Sequence, residues 1–329
     1  MPDSFNLKPE RVKQIISGFA NKKIVIIGDV MIDEYLSGNV SRISPEAPVP
    51  IVEISEETLR FGGAANVALN VRSLGCEPIL IGLIGNDRLG SLLKELMENE
   101  NMDYDGLVLS NSRPTTVKTR IIGDGQHIAR VDKEISTYAD ETEETDLLKR
   151  IESIIKKADA VILEDYNKGV LTEKIIKYTV QQCRLNDIPV SVDPKFTNFM
   201  NYRNVNIFKP NIKETEKALA LHLISDKQIE EAGLSLKSKL NADTVLLTRG
   251  SKGMSLFEED GIITHIPTQA RNVSDVSGAG DTVISTITAA VLGGGSKKEA
   301  AMLANMAAGI VVEEVGIVPI RKELLIQNT

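Results

Sequence analysis

Runs of apolar residues alternate along the chain with stretches whose apolar residues recur every three or four positions. The runs predict buried β-strands and the periodic stretches predict helices. The predicted strands are 23–28, 78–85, 107–109, 160–163, 189–192, 206–208 and 244–248. The predicted helices between them are 64–74, 89–98, 146–158 and 173–185. This alternation predicts an α/β fold, with a parallel sheet covered by helices on both faces.

Two stretches break this rhythm. Residues 49–59 alternate around Val52 and Ile54, and residues 115–131 alternate on both sides of a turn at 123–125. Strands outside the α/β order predict a small separate β-sheet. We expect it to act as a lid over the ligand site, with lid segments at about 34–60 and 113–132.

Composition narrows the class of protein. The 329 residues carry a net charge of −8, and they contain no basic run, so nucleic acid is not an expected partner. Cys76 and Cys183 form no metal-binding spacing, as in a cytoplasmic protein with reduced thiols. The longest apolar run, 300–312, is too short to span a bilayer. We therefore expect a cytoplasmic protein with no membrane segment.

The segment Gly278-Ala279-Gly280-Asp281 precedes a long apolar stretch, 282–292. This order predicts a loop followed by a helix N-terminus, where free N–H groups attract an anion. An acid beside an anion site suits a base that deprotonates a hydroxyl attacking a phosphate. On this segment alone, a purely structural first-turn aspartate is an equally good interpretation. A dinucleotide fingerprint is not favoured, because 271–277 is mostly polar and Val283 replaces the third glycine.

Polar clusters follow the predicted strands, at the sheet edge where ligands gather in open α/β folds. These clusters contain Asp29, Asp33, Gly62, Gly63, Asn66, Glu164, Asp165, Lys168, Asp193, Lys195, Asn211, Glu214, Thr248, Gly250 and Gly253. Carboxylates at such positions accept hydrogen bonds from sugar hydroxyls, and glycines permit close approach of a ligand. A single strand-end acid is more often a turn former, so the prediction depends on the convergence of several clusters.

Four motifs, Gly62-Gly63-Ala-Ala-Asn66, Asn211-x-x-Glu214, Thr248-x-Gly250-x-x-Gly253 and Asp275-x-x-Gly278-Ala-Gly280-Asp281, resemble those of the PfkB/ribokinase family of carbohydrate kinases. The resemblance extends from about residue 22 to 318. It implies a doubly wound α/β domain flanked by helices, with a small β-sheet lid.

A narrower resemblance is to the heptose 7-phosphate kinases of lipopolysaccharide precursor synthesis. It is carried by Gly28-Asp-Val-Met-Ile-Asp33, by 41–50, and by Glu164-Asp-Tyr-Asn-Lys168-Gly. Many members of that subgroup have a second, adenylyl-transferring domain with a His-x-Gly-His motif, which 1–329 lacks. We expect one kinase domain over 1–329, no adenylyltransferase domain, and a separate adenylyltransferase in the pathway. Ile317 replaces the subgroup's small hydroxyl residue after Gly316, which argues against a cation or nucleotide contact there.

The resemblance implies ATP-dependent phosphorylation of the anomeric (C1) hydroxyl of D-glycero-D-manno-heptose 7-phosphate to the 1,7-bisphosphate. Asp281 would be the base, and the N–H groups of Gly278, Ala279 and Gly280 would stabilise the transferring group. ATP would lie against Asn211, Glu214, Thr248, Gly250 and Gly253, with Mg²⁺ held near Asn211 and Glu214 through water. The sugar would contact Asp29, Asp33, Gly62, Gly63, Asn66 and Asp165.

The phosphate of the substrate requires cationic partners. The candidates in the lid or at strand ends are Arg42, Lys118, Arg120, Arg130, Lys168 and Lys195. Three alternatives to the heptose kinase stay open: a family member acting on fructose 6-phosphate or ribose, a nucleotide-binding regulator without turnover, and a dinucleotide oxidoreductase. Lid strands with an open edge could pair between subunits, so we expect a homodimer.

Overall fold

The computed structural model describes residues 7–270, 272–314 and 316–329. In chain order its strands are β1 (Lys23–Gly28), β2 (Val30–Ile43), β3 (Pro50–Gly63), β4 (Glu77–Gly85), β5 (Leu107–Ser110), β6 (Thr116–Gly123), β7 (Gln126–Lys133), β8 (Ala160–Glu164), β9 (Val190–Asp193), β10 (Ile207–Phe208), β11 (Thr244–Thr248), β12 (Met254–Phe257) and β13 (Ile263–Ile266). The helices are α1 (Pro9–Ser17), α2 (Ala64–Leu74), α3 (Arg88–Asn99), α4 (Glu141–Ile154), α5 (Glu173–Leu185), α6 (Ile212–Leu219), α7 (Asp226–Leu240), α8 (Ala279–Leu292), α9 (Lys297–Val311) and α10 (Lys322–Gln327).

A nine-stranded sheet in the order β13-β12-β11-β10-β9-β8-β1-β4-β5 forms the centre of the fold. Its two faces are buried in different apolar clusters. Ile24 and Ile26 of β1 pack in one cluster with residues of α1, α2, α8 and α9. Val25 and Ile27 pack in the other with residues of α4, α5 and α7. Because alternate residues of one strand enter opposite cores, helices cover both faces, as the sequence predicts.

The central sheet is parallel, as predicted, except at one edge. β11 pairs with β12, and β12 with β13, in antiparallel register. Neither β12 nor β13 is predicted from the sequence, because each is only four residues long and follows its neighbour through a short turn. The remaining pairs, from β10–β11 to β4–β5, are parallel.

A second sheet, which we call the lid sheet, has four strands in the order β3-β2-β6-β7. The predicted hairpin turn is confirmed: β6 ends at Gly123, and Asp124 and Gly125 have φ values of 50° and 76° before β7 begins. Two consecutive left-handed residues match the twist of a tight hairpin. The long strand β2 is not predicted from the sequence; it pairs with β3 antiparallel and with β6 in parallel.

The predicted elements of the central layer agree closely with the structure. The bounds of β1, β11, α2 and α5 are those predicted, whereas α4 begins five residues earlier than predicted, at Glu141. An aspartate that accepts hydrogen bonds in a capping box, Asp140, fixes that earlier start.

No helix in the described residues is both long and apolar enough to cross a membrane.

The register of the parallel strands places the last residues of β1, β8 and β9 side by side. Gly28 of β1 lies opposite Glu164 of β8, and Glu164 lies opposite Asp193 of β9. The two acids therefore end neighbouring strands at the same level. Gly28 permits this close pairing, because a Cβ atom there would lie 2.0 Å from the backbone oxygen of Glu164 and 2.9 Å from its Cβ.

We expect Gly28→Ala to lower the free energy of unfolding by about 2–3 kcal/mol, the upper part of the usual cost of forcing atoms into a packed site, because the clash is with backbone atoms. Urea denaturation measures the change. Gly261→Ala is the control: a Cβ at Gly261 meets no atom within 4 Å, and only its φ of 74° is unfavourable, which costs about 1 kcal/mol. Equal losses in the two variants would contradict the steric interpretation of Gly28.

Candidate active site

The N-terminus of α8 carries the predicted acid. Gly278 is the N-cap residue, with φ of 78°, and Ala279 begins the helix, so Asp281 lies in its first turn as predicted. A side chain at Gly278 would be strained by this backbone conformation and would approach the Asn66 amide at 3.1 Å. The first amides of a helix suit an anion, although here the N–H of Ala279 also donates to the Val276 carbonyl at 3.3 Å.

Two donors from different elements hold the Asp281 carboxylate. The side-chain amide of Asn66, in α2, donates to Oδ2 at 2.6 Å. The hydroxyl of Tyr166, in the loop after β8, donates to Oδ1 at 2.9 Å. Asp281 is only 2% exposed. Burial, and secondarily the charge of Asp193, raise its pKa to about 6, although both donors and Lys209 act in the opposite direction.

Asp281 is one of three buried carboxylates. One oxygen from each of Glu164, Asp193 and Asp281 lies within 4.8 Å of the other two. The ammonium of Lys209, which is also buried, lies 2.7 Å from Asp193 Oδ2. Burial, followed by the charges of Asp193 and Asp281, raises the pKa of Glu164 well above its usual range. The negative charge of the cluster is therefore balanced in part by one buried cation, and it is lowered further because the neutral form of Glu164 is favoured.

At Gly280, α8 packs closely against this cluster. A Cβ atom at Gly280 would lie 3.3 Å from the Lys209 ammonium and 3.4 Å from Asp193 Oδ2. The helix thus passes the ion pair without a side chain between them. A side chain there would require the Lys209 ammonium to shift by a few tenths of an ångström.

Asp29 organises a loop. Its Oδ2 accepts the N–H groups of Tyr166 at 2.7 Å and Lys168 at 2.9 Å, and its Oδ1 accepts that of Val170 at 3.0 Å. Burial, then the charge of Asp165, raises the pKa of Asp29 to about 6 despite these bonds. Its contacts are those of a structural carboxylate. The prediction that Asp29 binds sugar hydroxyls stays untested, and these contacts do not favour it.

Asp165 has a similar role in the same loop. Its Oδ1 accepts the N–H of Asn167 at 2.7 Å, and its Oδ2 accepts the hydroxyl of Tyr202 at 2.6 Å. Both oxygens are thus used within the protein, and Asp165 is buried. Its predicted contact with sugar stays a prediction.

Asp33 does not belong to the loop after β1, where the sequence pattern places it; it lies in lid strand β2. It forms an ion pair with Arg120 of β6. Gly62 makes room for this pair, because a Cβ there would lie 2.2 Å from Asp33 Oδ2. The neighbouring Gly63 has φ of 54°, and a Cβ there would lie 2.4 Å from the Asp29 carbonyl oxygen. Gly62 therefore allows close packing within the lid sheet, and Gly63 allows the lid sheet to approach Asp29, directly after β1.

The predicted cations have unequal surroundings. Lys118 of β6 and Lys168 both contact Glu134, at 3.0 Å and 2.6 Å. Their side chains are only 14% and 15% exposed, so two half-buried ammonium groups face each other across one carboxylate. Arg42 is exposed near the far end of β2, and Arg130 is exposed on β7 beside Asp132. The structure therefore does not bring all the predicted cations together.

The predicted nucleotide residues form a second group. Asn211 and Glu214 make a reciprocal capping box at the start of α6, with both hydrogen bonds at 2.9 Å. Glu214 Oε1 also lies 2.8 Å from the Lys195 ammonium. Burial lowers the pKa of Lys195, but the charges of Asp193 and Glu214 outweigh it and raise the value above its usual range. Asn211 pairs with Thr248 as an isolated parallel bridge.

Gly250 and Gly253 lie in the turn between β11 and β12. Both have positive φ values, 58° and 81°. A Cβ at Gly253 would lie 2.1 Å from the Ile266 oxygen, whereas one at Gly250 would meet no atom within 4 Å. Gly253 is therefore required by packing, and the exposed backbone at Gly250 is open to a ligand.

The donor set fits a hydrated Mg²⁺ better than a directly coordinated one. The oxygens of Glu214 already accept an N–H and an ammonium, and Asn211 Oδ1 accepts the Glu214 N–H. Direct coordination would compete with these bonds, whereas bridging water can use the remaining lone pairs. The arrangement agrees with the prediction of an ion held through water, which stays a prediction.

Sequence reasoning missed the contacts of Tyr166 and Lys209. Tyr166 lies in a segment that carries the family resemblance and Lys209 directly follows a predicted strand, but neither is assigned a role from the sequence. Tyr166 contacts Asp281, which lies 115 positions away in the sequence. Lys209 contacts Asp193, at the end of the neighbouring strand. The only local signal is their position within two residues of a strand end.

Three comparisons place the chain among known proteins. Residues 21–322 match the family described as pfkB family carbohydrate kinase. The chain is 38% identical over 95% of its length to the bifunctional protein HldE of Syntrophotalea carbinolica, and covers 64% of that protein. It is 42% identical over 92% of its length to the protein of the same name from Haemophilus influenzae, and covers 62% of it. The chain thus spans less than two thirds of these curated relatives.

Solved structures agree on the fold. Arabidopsis thaliana ribokinase, complexed with ribose and ATP, superposes with a TM-score of 0.75 at 21% identity, over 94% of this chain and 98% of that one. Escherichia coli phosphofructokinase-2, in complex with substrates and products, gives 0.78 at 16% identity, over 93% and 97%. At these identities the likeness supports the ribokinase-like fold alone. Together with the family match over most of the chain, it leads to one conclusion: the chain belongs to the pfkB family of carbohydrate kinases.

Proposed function

We propose that this protein transfers the γ-phosphoryl group of ATP to the anomeric C1 hydroxyl of D-glycero-D-manno-heptose 7-phosphate, giving the 1,7-bisphosphate. The observation that carries the proposal is the buried Asp281 carboxylate, held by two donors in the first turn of α8. The choice of the heptose is supported by the resemblance of 28–33 and 41–50 to heptose kinases, and by the identity to bifunctional HldE proteins.

Asp281 accepts the proton of the C1 hydroxyl while the hydroxyl oxygen attacks the γ-phosphorus. The bond from the γ-phosphorus to the departing ADP breaks as the new one forms. The N–H groups of Gly278, Ala279 and Gly280 stabilise charge on the transferring group. Mg²⁺, when bound through water near Asn211 and Glu214, supplies positive charge to the ATP phosphates. A base with a pKa of about 6 is ionised at neutral pH and still accepts a proton.

The phosphate of the sugar is best matched by Lys118 and Lys168. Both ammonium groups form ion pairs with one carboxylate, Glu134. Lys168 belongs to the loop that also contains Tyr166. An incoming phosphate would compete with Glu134 for both ammonium groups. Lys118 also lies 3.3 Å from Asp132 Oδ2, on the partly exposed side of the lid sheet. Arg120 is a weaker candidate because its partner, Asp33, is buried, and because it also stacks at 5.2 Å from the centre of the Tyr35 ring.

A homodimer through the lid sheet is part of the proposal. β3 and β7 are the outer strands of this sheet, and outer strands offer unpaired backbone groups to another chain. Exposed apolar side chains on the same strands, Ile54, Ile128 and Val131, would be covered in such a pair. A cytoplasmic location, where ATP is available, is likewise proposed.

The substrate is tested by ADP release with ATP and Mg²⁺, using heptose 7-phosphate, fructose 6-phosphate, fructose and ribose. We expect kcat/KM to be at least about tenfold higher for heptose 7-phosphate, a difference of about 1.4 kcal/mol in transition-state binding. A preference for another sugar would overturn the substrate and keep the kinase. ATP binding without turnover on any sugar would favour a nucleotide-binding regulator.

We expect Asp281→Asn to lower kcat by roughly 10²–10⁴-fold, the usual contribution of a positioned base. The amide keeps the size of the side chain but accepts no proton. ADP release under saturating ATP and sugar measures the effect, and ATP affinity should stay within about threefold of wild type. Asp146→Asn on α4, where the side chain is 46% exposed, is the control and should leave kcat unchanged. An undiminished kcat in Asp281→Asn would remove this residue from the role of base.

We expect Lys118→Met and Lys168→Met each to raise KM for heptose 7-phosphate by about ten- to a hundredfold, because each removes a charged hydrogen bond to the phosphate. Any slow turnover of an unphosphorylated sugar should keep its KM. Lys149→Met on α4, where the side chain is 69% exposed, is the matched control. An equal rise in KM for phosphorylated and unphosphorylated sugars would indicate general damage rather than a lost phosphate contact.

A further inference from the structure

Tyr166 is fixed at three points. Its backbone N–H donates to Asp29 Oδ2 at 2.7 Å, and the Lys195 ammonium lies 4.9 Å from the centre of its ring. Its hydroxyl donates to Asp281 Oδ1 at 2.9 Å. The loop that carries it is held by the three hydrogen bonds that the Asp29 carboxylate accepts from backbone amides. The position of the hydroxyl relative to Asp281 is therefore set by the whole strand-end loop.

The hydroxyl of Tyr166 remains protonated across the neutral pH range. Burial, followed by the charge of Asp281, raises the pKa of Tyr166 well above its usual value. Since the oxygen keeps its proton, it acts as a donor to the Asp281 carboxylate. A donor to the ionised form of an acid favours that form.

We infer that Tyr166 is a positioning residue for the catalytic base: its hydroxyl fixes one oxygen of Asp281 and keeps the carboxylate ionised during turnover. The inference rests on the proposed phosphoryl transfer, in which Asp281 takes the proton of the attacking hydroxyl. Tyr166 keeps its own proton in that step. Asn66 fixes the other oxygen, so the two donors together set the orientation of the carboxylate.

Other charged groups also act on Asp281, and their effects differ in sign. Glu164 and Asp193, at the ends of β8 and β9, face it within the carboxylate cluster. The negative charge of Asp193 opposes ionisation of Asp281, whereas the Lys209 ammonium favours it. All three remain when the Tyr166 hydroxyl is removed. The change caused by Tyr166→Phe is therefore an increase in the pKa of Asp281.

The test is the dependence of kcat on pH in wild type and Tyr166→Phe, at saturating ATP and sugar. Phenylalanine keeps the ring beneath Lys195 and removes only the hydroxyl. At acid pH, kcat falls as Asp281 is protonated, and we call this part of the pH profile the acid limb. We expect its midpoint to move upward by about one pH unit, the effect of losing one hydrogen bond to a charged group. The deficit relative to wild type should be largest below pH 6.5 and should narrow above pH 8. Ionisation of the sugar phosphate affects both proteins equally.

Tyr202→Phe is the matched control. Tyr202 is also buried, and its hydroxyl donates at 2.6 Å to Asp165 of the same loop, not to Asp281. A merely structural role for Tyr166 predicts that both variants lose stability and that both acid limbs stay at the wild-type pH. We expect Tyr202→Phe to lower the melting temperature without moving the limb.

Replacing Tyr166 with 3-fluorotyrosine gives a second measurement that does not depend on the folding of Tyr166→Phe. The fluorinated phenol keeps the ring and hydroxyl but is a stronger donor, so the acid limb should move downward. An acid limb that stays at the wild-type pH in the Phe and fluorotyrosine variants, or an equal shift in Tyr202→Phe, would overturn the inference. Failure of the proposed function has a different signature, since wild type itself would then phosphorylate none of the sugars.

Discussion

The ion pair between Lys209 and Asp193 allows the three carboxylates of the candidate active site to lie together. Three carboxylates within 4.8 Å of one another, all buried, would repel strongly without a cation among them. The Lys209 ammonium, 2.7 Å from Asp193 and only 4% exposed, supplies that charge. Raising the pKa of Glu164 removes part of a second negative charge. Asp281 therefore keeps a pKa of only about 6 although it is buried beside two acids.

Two buried aspartates with the same raised pKa, about 6, have different contacts. All three hydrogen bonds that Asp29 accepts come from backbone amides of one loop, so its protonation would loosen the loop. The two donors to Asp281 are side chains, from α2 and from that loop. The contacts, rather than the pKa, distinguish an organising acid from a candidate base. Through Tyr166 the first acid positions the second.

The sequence predicts the elements near this site better than it predicts their contacts. Apolar periodicity gives the bounds of β1, α2, α5 and β11, because both faces of the sheet are buried and the strands read as continuous apolar runs. The antiparallel edge, β12 and β13, is too short to give such a signal. Nor does local spacing show that Asp33 pairs with Arg120, 87 residues away, or that Tyr166 reaches Asp281. These contacts depend on the register of the strands and on how α8 packs against them.

The same burial that makes Asp281 a stronger base costs stability. Its pKa is near 3.8 in an unfolded chain and about 6 in the fold, so the folded state favours the protonated form. The stability associated with that form is fully present below pH 3.8 and is lost as pH rises through 6. The loss amounts to about 3 kcal/mol at neutral pH, where the proposed base must be ionised. The hydrogen bonds from Asn66 and Tyr166 reduce this cost by favouring the carboxylate. They therefore limit both the destabilisation by the buried charge and the fraction of molecules with a protonated base.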